Sequence, residues 1–456
     1  MKKIFSSILI FAVLLSSVFC VNANAAYDKE MEEMELYSEC VYLVSMDNGE
    51  VIFDKHGGKQ TAPASLTKII TSIVVLENCP DLNAVVTVPE SCITELSGTG
   101  SSLGGLKAGE TLSVYNLLCY LLLKSANEAA TTLADYVAGG DRAKFIGMMN
   151  KVAEDLGCKD SHFVNPHGLD DENQYVSARD MAKFMTRALE FPEFKEIVSR
   201  STYTVPETNM NKEHLIISTN YMLNSAYKEY YCKYVKGGKT GTTSNAGRCM
   251  VAYASKDGYN YLCVTLNSTF YDVDKDGVNE NGAFLDCKEM IEWTFDNIEL
   301  VPICNTNQIV AQLPVKYAKN TDFVTLSPEE TVYSLVPSGT DASSLLVEIV
   351  EGSAPEILKA PVKKGDTVCR GRVLYAGNVI KEINLISNTD AKMSIFSLIG
   401  SIAKTIFSSW IFRIIALAVI VALVILIIRK RNNGSGNTKK KKYQVLNYND
   451  FVKTNR

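Results

Sequence analysis

Two short apolar runs, Val41-Tyr42-Leu43-Val44 and Val51-Ile52-Phe53, flank the stretch Met46-Asp47-Asn48-Gly49-Glu50. An Asn-Gly pair between such runs predicts a β-hairpin, because these residues tolerate the positive φ angles a tight turn needs. The period then changes from two to 3.6. Apolar residues recur three and four apart over Leu66 to Leu76, Val114 to Leu123, Glu128 to Val137 and Arg142 to Leu156, which predicts packed helices. Strand texture returns after Lys233, at Cys249 to Tyr253 and Tyr261 to Leu266, followed by a helical stretch from Ala283 to Phe295. Strands from both ends with helices between them predict an α+β domain over residues 26–298. From Ile309 to Ile386, runs such as Val332-Tyr333-Ser334-Leu335-Val336 and Leu345-Leu346-Val347-Glu348-Ile349-Val350 are separated by Pro, Gly and Asp turns. That texture predicts a second, all-β domain over 305–386.

The two ends carry a different pattern. Lys2-Lys3, an apolar run from Ile4 to Val21 and small residues at Ala23 and Ala25 predict a cleavable secretory signal over residues 1–25. A lipoprotein signal at Cys20 is disfavoured by Phe19 and Val18, which stand where other residues are wanted. Trp410 to Ile428 is almost unbroken apolar sequence, and at about 1.5 Å per residue it covers roughly one hydrocarbon core, about 28 Å. A transmembrane helix over 410–428 is expected, with a buried core helix as the alternative. Before it, Ile395, Leu398, Ile399, Ile402, Ile406 and Phe407 repeat at helical spacing, so the linker 387–409 is expected to be an interfacial amphipathic helix. Arg429, Lys430, Arg431 and Lys439 to Lys442 follow the span, so the positive-inside rule leaves the basic tail 429–456 in the cytoplasm and the domains outside.

Composition adds limits. The net charge is −5 and the concentrated basic segment is the tail, so the ectodomain offers no footprint for nucleic acid. Twelve cysteines fall to eleven once Cys20 leaves with the signal, and they include no Cys-x-x-Cys pair. This is neither a disulfide-dense scaffold nor a zinc pattern, and the sequence does not choose between bridges and free buried thiols.

Three short stretches can carry chemistry: Ser65-Leu66-Thr67-Lys68, Ser125-Ala126-Asn127 and Lys239-Thr240-Gly241. Each is ambiguous alone, since Ser225-Ala226-Tyr227-Lys228 and Ser401-Ile402-Ala403-Lys404 also match Ser-x-x-Lys, and Ser218-Thr219-Asn220 matches Ser-x-Asn. Ser65 is favoured because it follows Pro63 and opens an apolar helical run, which places its hydroxyl at a helix N-terminus with Lys68 one turn on. A serine hydroxyl needs a base to become a nucleophile, and an amine serves only when neutral. Burial and a nearby cation such as Lys239 both lower a lysine's pKa, so Lys68 is the expected base. On their own, Ser65 and Lys68 fit an N-cap and a solvated lysine equally well. Ser125, in a turn between two helical stretches, could relay a proton to a leaving amine while Asn127 holds a substrate amide; an ordinary helix cap is the alternative. Gly237-Gly238-Lys239-Thr240-Gly241 suits a strand edge where a peptide backbone can approach, with Lys239 and Thr240 binding a carboxylate.

All three in this order, spaced 60 and 114 residues apart on an exported chain, closely resemble the penicillin-binding protein and serine β-lactamase superfamily. More narrowly, the chain resembles the low-molecular-mass penicillin-binding proteins of D-alanyl-D-alanine carboxypeptidase type. Thr61-Ala62-Pro63-Ala64-Ser65-Leu66-Thr67-Lys68, Gly100-Ser101-Ser102, Leu122 to Ala130 and Asn165-Pro166-His167-Gly168-Leu169-Asp170 also match, and the likeness covers roughly residues 40 to 385. The resemblance implies a penicillin-binding transpeptidase-like catalytic domain, a small all-β domain and two-step acyl transfer on peptidoglycan stem peptides. In that scheme Ser65 attacks the carbonyl between the terminal D-alanines, and the backbone N–H groups of Ser65 and Thr242 hold the oxyanion. It also implies inhibition by β-lactam antibiotics, attachment to the bacterial cytoplasmic membrane, and no metal or cofactor.

Departures and rivals remain. The family's amphipathic anchor is extended here by the expected span 410–428 and the tail 429–456. Asp272-Val273-Asp274-Lys275-Asp276-Gly277 resembles the start of a calcium loop, but the twelfth position is Ala283 where a bidentate Glu is needed. Gly100-Ser101-Ser102-Leu103-Gly104 fits an esterase elbow without the strand that should precede it. A zinc peptidase built on His162 and His167 is unsupported, and a β-lactamase would need a dedicated deacylating Glu near Asn165 to Asp170. A penicillin sensor or inactive wall-binding module is the non-enzymatic alternative.

Overall fold

The computed structural model describes residues 31, 33–272, 277, 279–339, 345–375 and 378–434. The expected signal peptide, residues 273–276 of the acidic loop and the tail from 435 onward lie outside the described residues.

Two compact units are present. The first takes in residues up to 308 together with 330–349 and 370–383, and the second holds 309–329, 350–369 and the chain from 384. The first is built on a five-stranded antiparallel sheet of β1 (Ser38–Ser45), β2 (Val51–Lys55), β3 (Val235–Thr243), β4 (Gly247–Lys256) and β5 (Tyr259–Ser268). The spatial order is β2-β1-β5-β4-β3, which leaves β3 on an edge. Strand β1 pairs with β5 from Ser38↔Ser268 to Ser45↔Tyr261, so sequence segments more than 200 residues apart close the sheet.

Successive side chains on a strand point to opposite faces, and here they fill two separate cores. Cys40, Tyr42, Val251, Tyr253, Leu262 and Val264 face one, whereas Val41, Leu43, Met250, Ala252, Tyr261 and Cys263 face the other. The first face is covered by α1 (Thr67–Asn78), α2 (Val114–Cys119), α3 (Asn127–Ala138), α4 (Arg142–Asp155) and α5 (Ala178–Leu189). The second is covered by α6 (Gly282–Asn297), which contributes Phe284, Met290 and Ile291. Helix α1 is buried at every position from Thr67 to Val75, Lys68 included, so it runs through the interior rather than over it.

The hairpin and the helices expected from periodicity are present within a few residues of their predicted limits. One of them changes character: after Cys119, residues Tyr120–Lys124 widen into a π-turn that stops at Ser125 with φ 60°. Helix α5 escapes the periodicity argument because Arg179, Asp180, Lys183 and Arg187 interrupt its apolar set. That set is nonetheless spaced for a helix at Met181, Phe184, Met185 and Ala188, and Ser177 caps it by accepting from Asp180 N.

In the second unit Ala311–Lys316 pairs antiparallel with Phe323–Pro328 and parallel with Leu358–Lys359, an all-β arrangement as expected. The chain continues as α7 (Ile395–Ser408), capped by the Ser394 hydroxyl, and α8 (Trp410–Gly434). Helix α7 buries none of its residues, and Phe396 is 90% exposed. Within α8, Trp410–Arg431 is long and apolar enough to cross a membrane, and none of it is buried in the protein. All eleven described cysteines are free and buried, which answers what the sequence left open.

Candidate active site

The turn before α1 is a single 3-10 turn, Ala64–Leu66, in which Ala64 takes φ 47°. A non-glycine residue held there carries strain of about 1–3 kcal/mol, and it stands directly before Ser65. The turn is pinned from both sides. Thr67 Oγ1 donates to Ala64 O at 2.9 Å, and a Cβ on Gly241 would already press against Ala64 Cβ and Pro63 O at 3.2 Å. Strand β3 therefore packs its Lys-Thr-Gly end against the serine turn.

Lys68 lies on α1 one turn after Ser65 and is wholly buried. Its Nζ is 2.9 Å from Ser65 Oγ, 2.7 Å from Asn127 Oδ1 and 2.6 Å from His167 O. Burial and then the Lys239 charge hold this amine well below its ordinary pKa, with Glu128 opposing them. Lys239 Nζ donates to Ser125 Oγ at 2.9 Å and to Thr240 O at 2.8 Å, and burial alone pushes its pKa down to about 7. The two buried amines are thus unequal: Lys68 gives up its charge first, and Lys239 is the one that keeps a proton near neutrality.

Ser125 sits at the end of the π-turn in left-handed conformation, and Asn127 opens α3, so the Ser-Ala-Asn motif bends around the Lys68 amine. The Asn165–Asp170 loop closes the other side. Thr71 Oγ1 donates to Pro166 O at 2.7 Å, Lys68 to His167 O, and Gly168 N to Asn165 Oδ1 at 2.7 Å. Gly168 has φ 91°, and a Cβ there would overlap the Ala64 carbonyl oxygen and stand 2.5 Å from its carbon. Only glycine lets this loop seat against the strained turn.

Ser65, Asn127, His167, Gly168, Asp170 and Thr242 line one cleft, and Thr99 to Ser102 form part of its wall. The motifs expected to assemble therefore do so. His167 is buried, its Nδ1 accepts from Leu169 N at 3.2 Å, and burial with the Lys68 and Arg142 charges pushes its pKa down to about 3. It orders the loop as a neutral ring. His162 Nδ1 faces Asn173 O at 2.7 Å, so the two rings are committed to separate loop contacts. The Gly100–Gly104 stretch is cleft wall and not a nucleophile elbow: Ser102 O accepts from Asn127 N at 2.9 Å.

Three groups near the site escape sequence reasoning. The Ser218-Thr219-Asn220 copy, set aside above, abuts the motif strand, with Thr219 Oγ1 2.6 Å from Thr240 Oγ1. Arg248 donates to Thr242 Oγ1 at 2.8 Å from across the β3–β4 pair. Glu128, next to Asn127, is buried and accepts from three backbone N–H groups of the cleft wall. Its place directly after the Ser-x-Asn motif was the available signal.

Residues 27–269 match the family model described as D-alanyl-D-alanine carboxypeptidase. The chain belongs to this family. Residues 299–393 match a second model, penicillin-binding protein 5, C-terminal domain. Among relatives of this D-alanyl-D-alanine carboxypeptidase family member, DacF of Bacillus subtilis (strain 168) is 28% identical over 400 residues, 87% of this chain and 96% of that protein. DacC of Escherichia coli (strain K12) is 31% identical over 364 residues, 77% of this chain and 83% of that protein. Both relatives are named D-alanyl-D-alanine carboxypeptidases. Penicillin binding protein 5 from Haemophilus influenzae superposes with a TM-score of 0.63 at 26% identity, covering 79% of this chain and 98% of that one.

Proposed function

We propose that this family member is a serine-type carboxypeptidase that removes the terminal D-alanine from peptidoglycan stem peptides through an acyl-enzyme on Ser65. The carrying observation is the set of partners around Lys68 Nζ. Asn127 Oδ1 and His167 O are acceptors that take two N–H bonds, and the third contact is Ser65 Oγ at 2.9 Å. A neutral amine has two N–H bonds and one lone pair, so its pattern is complete when the Ser65 O–H donates to nitrogen. The depressed basicity of Lys68 favours that state.

Lys68 takes the Ser65 proton as Oγ attacks the carbonyl carbon between the two D-alanines. The oxyanion is held by the N–H groups of Ser65 and Thr242. Collapse breaks the peptide C–N bond, and the proton reaches the leaving amine through Ser125, whose oxygen is already engaged by Lys239. Water then attacks the ester and frees Ser65. Edge strand β3 offers its backbone to an extended peptide, and Gly241 lets that strand pack close against the serine turn. Asn127, with Oδ1 taken by Lys68, presents its amide N–H groups to a substrate carbonyl, while Lys239 and Thr240 draw the terminal carboxylate. β-Lactams acylate the same serine because their strained amide imitates the scissile bond.

The apolar helix 410–428 spans the bacterial cytoplasmic membrane, with the catalytic domain (26–298) and the β domain (305–386) outside. The signal 1–25 is removed, the linker 387–409 lies at the interface, and the basic tail 429–456 is inside.

The test is the full chain in detergent, incubated with a fluorescent penicillin and, separately, with a pentapeptide ending in D-Ala-D-Ala. An adduct on Ser65 and released D-alanine are expected. Absence of both sinks the reading; an adduct without D-alanine release favours a penicillin sensor instead.

A further inference from the structure

Glu128 is 1% exposed, yet it forms no ion pair among the described residues. Its Oε1 accepts from the N–H groups of Gly104 at 2.6 Å, Gly105 at 2.9 Å and Leu106 at 3.3 Å. Its Oε2 is buried and has no hydrogen-bond partner among the described residues. Leaving a carboxylate oxygen dry and unpaired is costly, so a buried carboxylate of this kind calls for a compensating electrostatic partner. The strip it gathers is in close contact with the Ser125–Asn127 turn: Ser102 Oγ donates to Lys124 O at 3.3 Å, and Asn127 N donates to Ser102 O. A Cβ on Gly104 would stand 2.7 Å from the Tyr120 ring and 3.0 Å from Ala126 Cβ, so the strip has no freedom to slide.

We propose that Glu128 is a positioning residue of the acylation site, a buried anion that clamps the 102–106 strip onto the Ser-Ala-Asn turn and acts electrostatically on Lys68. The inference rests on Lys68 being the base. The charged and titratable groups that meet here are Lys68 from α1, Lys239 from β3, His167 from the closing loop and Tyr120 from the π-turn. Burial and Lys239 push Lys68 toward the neutral state, and Glu128 is the anion that opposes them. His167 is kept neutral first by burial and then by the neighbouring lysine and Arg142 charges. Tyr120 is raised by burial, with Glu110 and Glu128 adding to it, and so carries no charge near neutrality. Without Glu128 the Lys68 amine would be less basic still, and a weaker base accepts the serine proton less readily.

The experiment compares wild type, Glu128→Gln and Glu128→Asp, each as full chain in detergent, by the pH dependence of the second-order acylation rate with fluorescent penicillin. Glutamine keeps an acceptor oxygen for the strip and removes the charge. An anion favours protonated Lys68, so its loss lowers the Lys68 pKa, and the acid limb of the Glu128→Gln profile moves down by ~1 pH unit with a lower plateau. Glu128→Asp keeps the charge, and its limb stays at the wild-type position while its plateau falls through the shorter reach. An unmoved limb in Glu128→Gln overturns the inference, as does a limb in Glu128→Asp displaced like that of a neutral variant. If Glu128→Gln loses its cooperative thermal transition, the Glu128→Asp limb alone decides. Wild-type protein that takes no penicillin at all refutes the serine-lysine reading beneath it.

Discussion

Gly168→Ala isolates how tightly the closing loop holds the nucleophile. The added Cβ would overlap Ala64 O, stand 2.5 Å from Ala64 C and stand 2.9 Å from Thr67 Oγ1. Two penalties combine. A left-handed alanine costs about 1–2 kcal/mol at φ 91°, and overpacking adds about 1–3 kcal/mol. Relief to ordinary contact requires a shift of roughly 1 Å, and a misplacement of that size at a reacting centre lowers the rate on the order of 10²-fold. The loop cannot easily retreat, because its carbonyls at Pro166 and His167 are bonded to Thr71 and Lys68. The shift therefore falls on the Ala64–Leu66 turn and carries Ser65 away from Lys68. Gly157→Ala is the control: its φ is 64° and nothing lies within 4 Å of its Cβ, so it incurs the backbone penalty alone. Thermal unfolding should register both variants, whereas penicillin acylation should fall only in Gly168→Ala. Acylation of folded Gly168→Ala within about threefold of wild type, less than ~1 kcal/mol of barrier, would refute the argument that this contact fixes the nucleophile.

Lys68→Arg puts a permanent cation where a neutral amine is needed and cannot offer a lone pair, so acylation should drop by ~10³, within the range for loss of a general base; a residual rate near wild type contradicts the base assignment. Lys239 is a base with a lowered folded pKa, so the unfolded chain binds more protons between about 7 and 10.5, and its contribution to stability rises with pH across that window. The stability it contributes is fully present above 10.5 and lost as pH falls through about 7. Relative to wild type, Lys239→Met should be inactive yet more stable at pH 7, by up to about 5 kcal/mol, with the gain shrinking toward pH 10 in calorimetric scans. His167, held near a pKa of about 3, is neutral through the working range, so His167→Gln should leave the shape of the acylation pH profile unchanged between pH 5 and 9. Loss of an inflection in that variant would return His167 to the chemistry.

Much of the fold was legible because it obeys a local period. Strands β1, β4 and β5 are short apolar runs because both of their faces are buried, and the helices on one face of the sheet carry apolar residues three and four apart. The edge strand β3 was harder to see, since Gly237, Gly238 and Gly241 leave it with few side chains to alternate. Helix α5 hid behind its charged residues. At the site, Ser65 and Lys68 were legible because an i, i+3 spacing on a helix is itself a contact. Glu128 and Thr219 act through a backbone strip and a neighbouring strand, and spacing along the chain does not encode those contacts.

What no single motif contains is the order in which the two lysines lose their protons. Lys68 and Lys239 are equally buried, so desolvation alone would treat them alike. The repulsion between the two amines is mutual and disfavours both being charged at once; with Lys68 held well below its ordinary value and Lys239 pushed down to about 7, the single proton falls to Lys239. One amine discharges first and is left with two carbonyl-type acceptors and a serine hydroxyl; the other keeps its proton against Ser125 and Thr240. A base and a cation are thereby made from the same residue type within one buried volume. Exchanging the surroundings, rather than the residues, would exchange the roles, which is why three motifs 60 and 114 residues apart have chemical meaning only once they share a cleft.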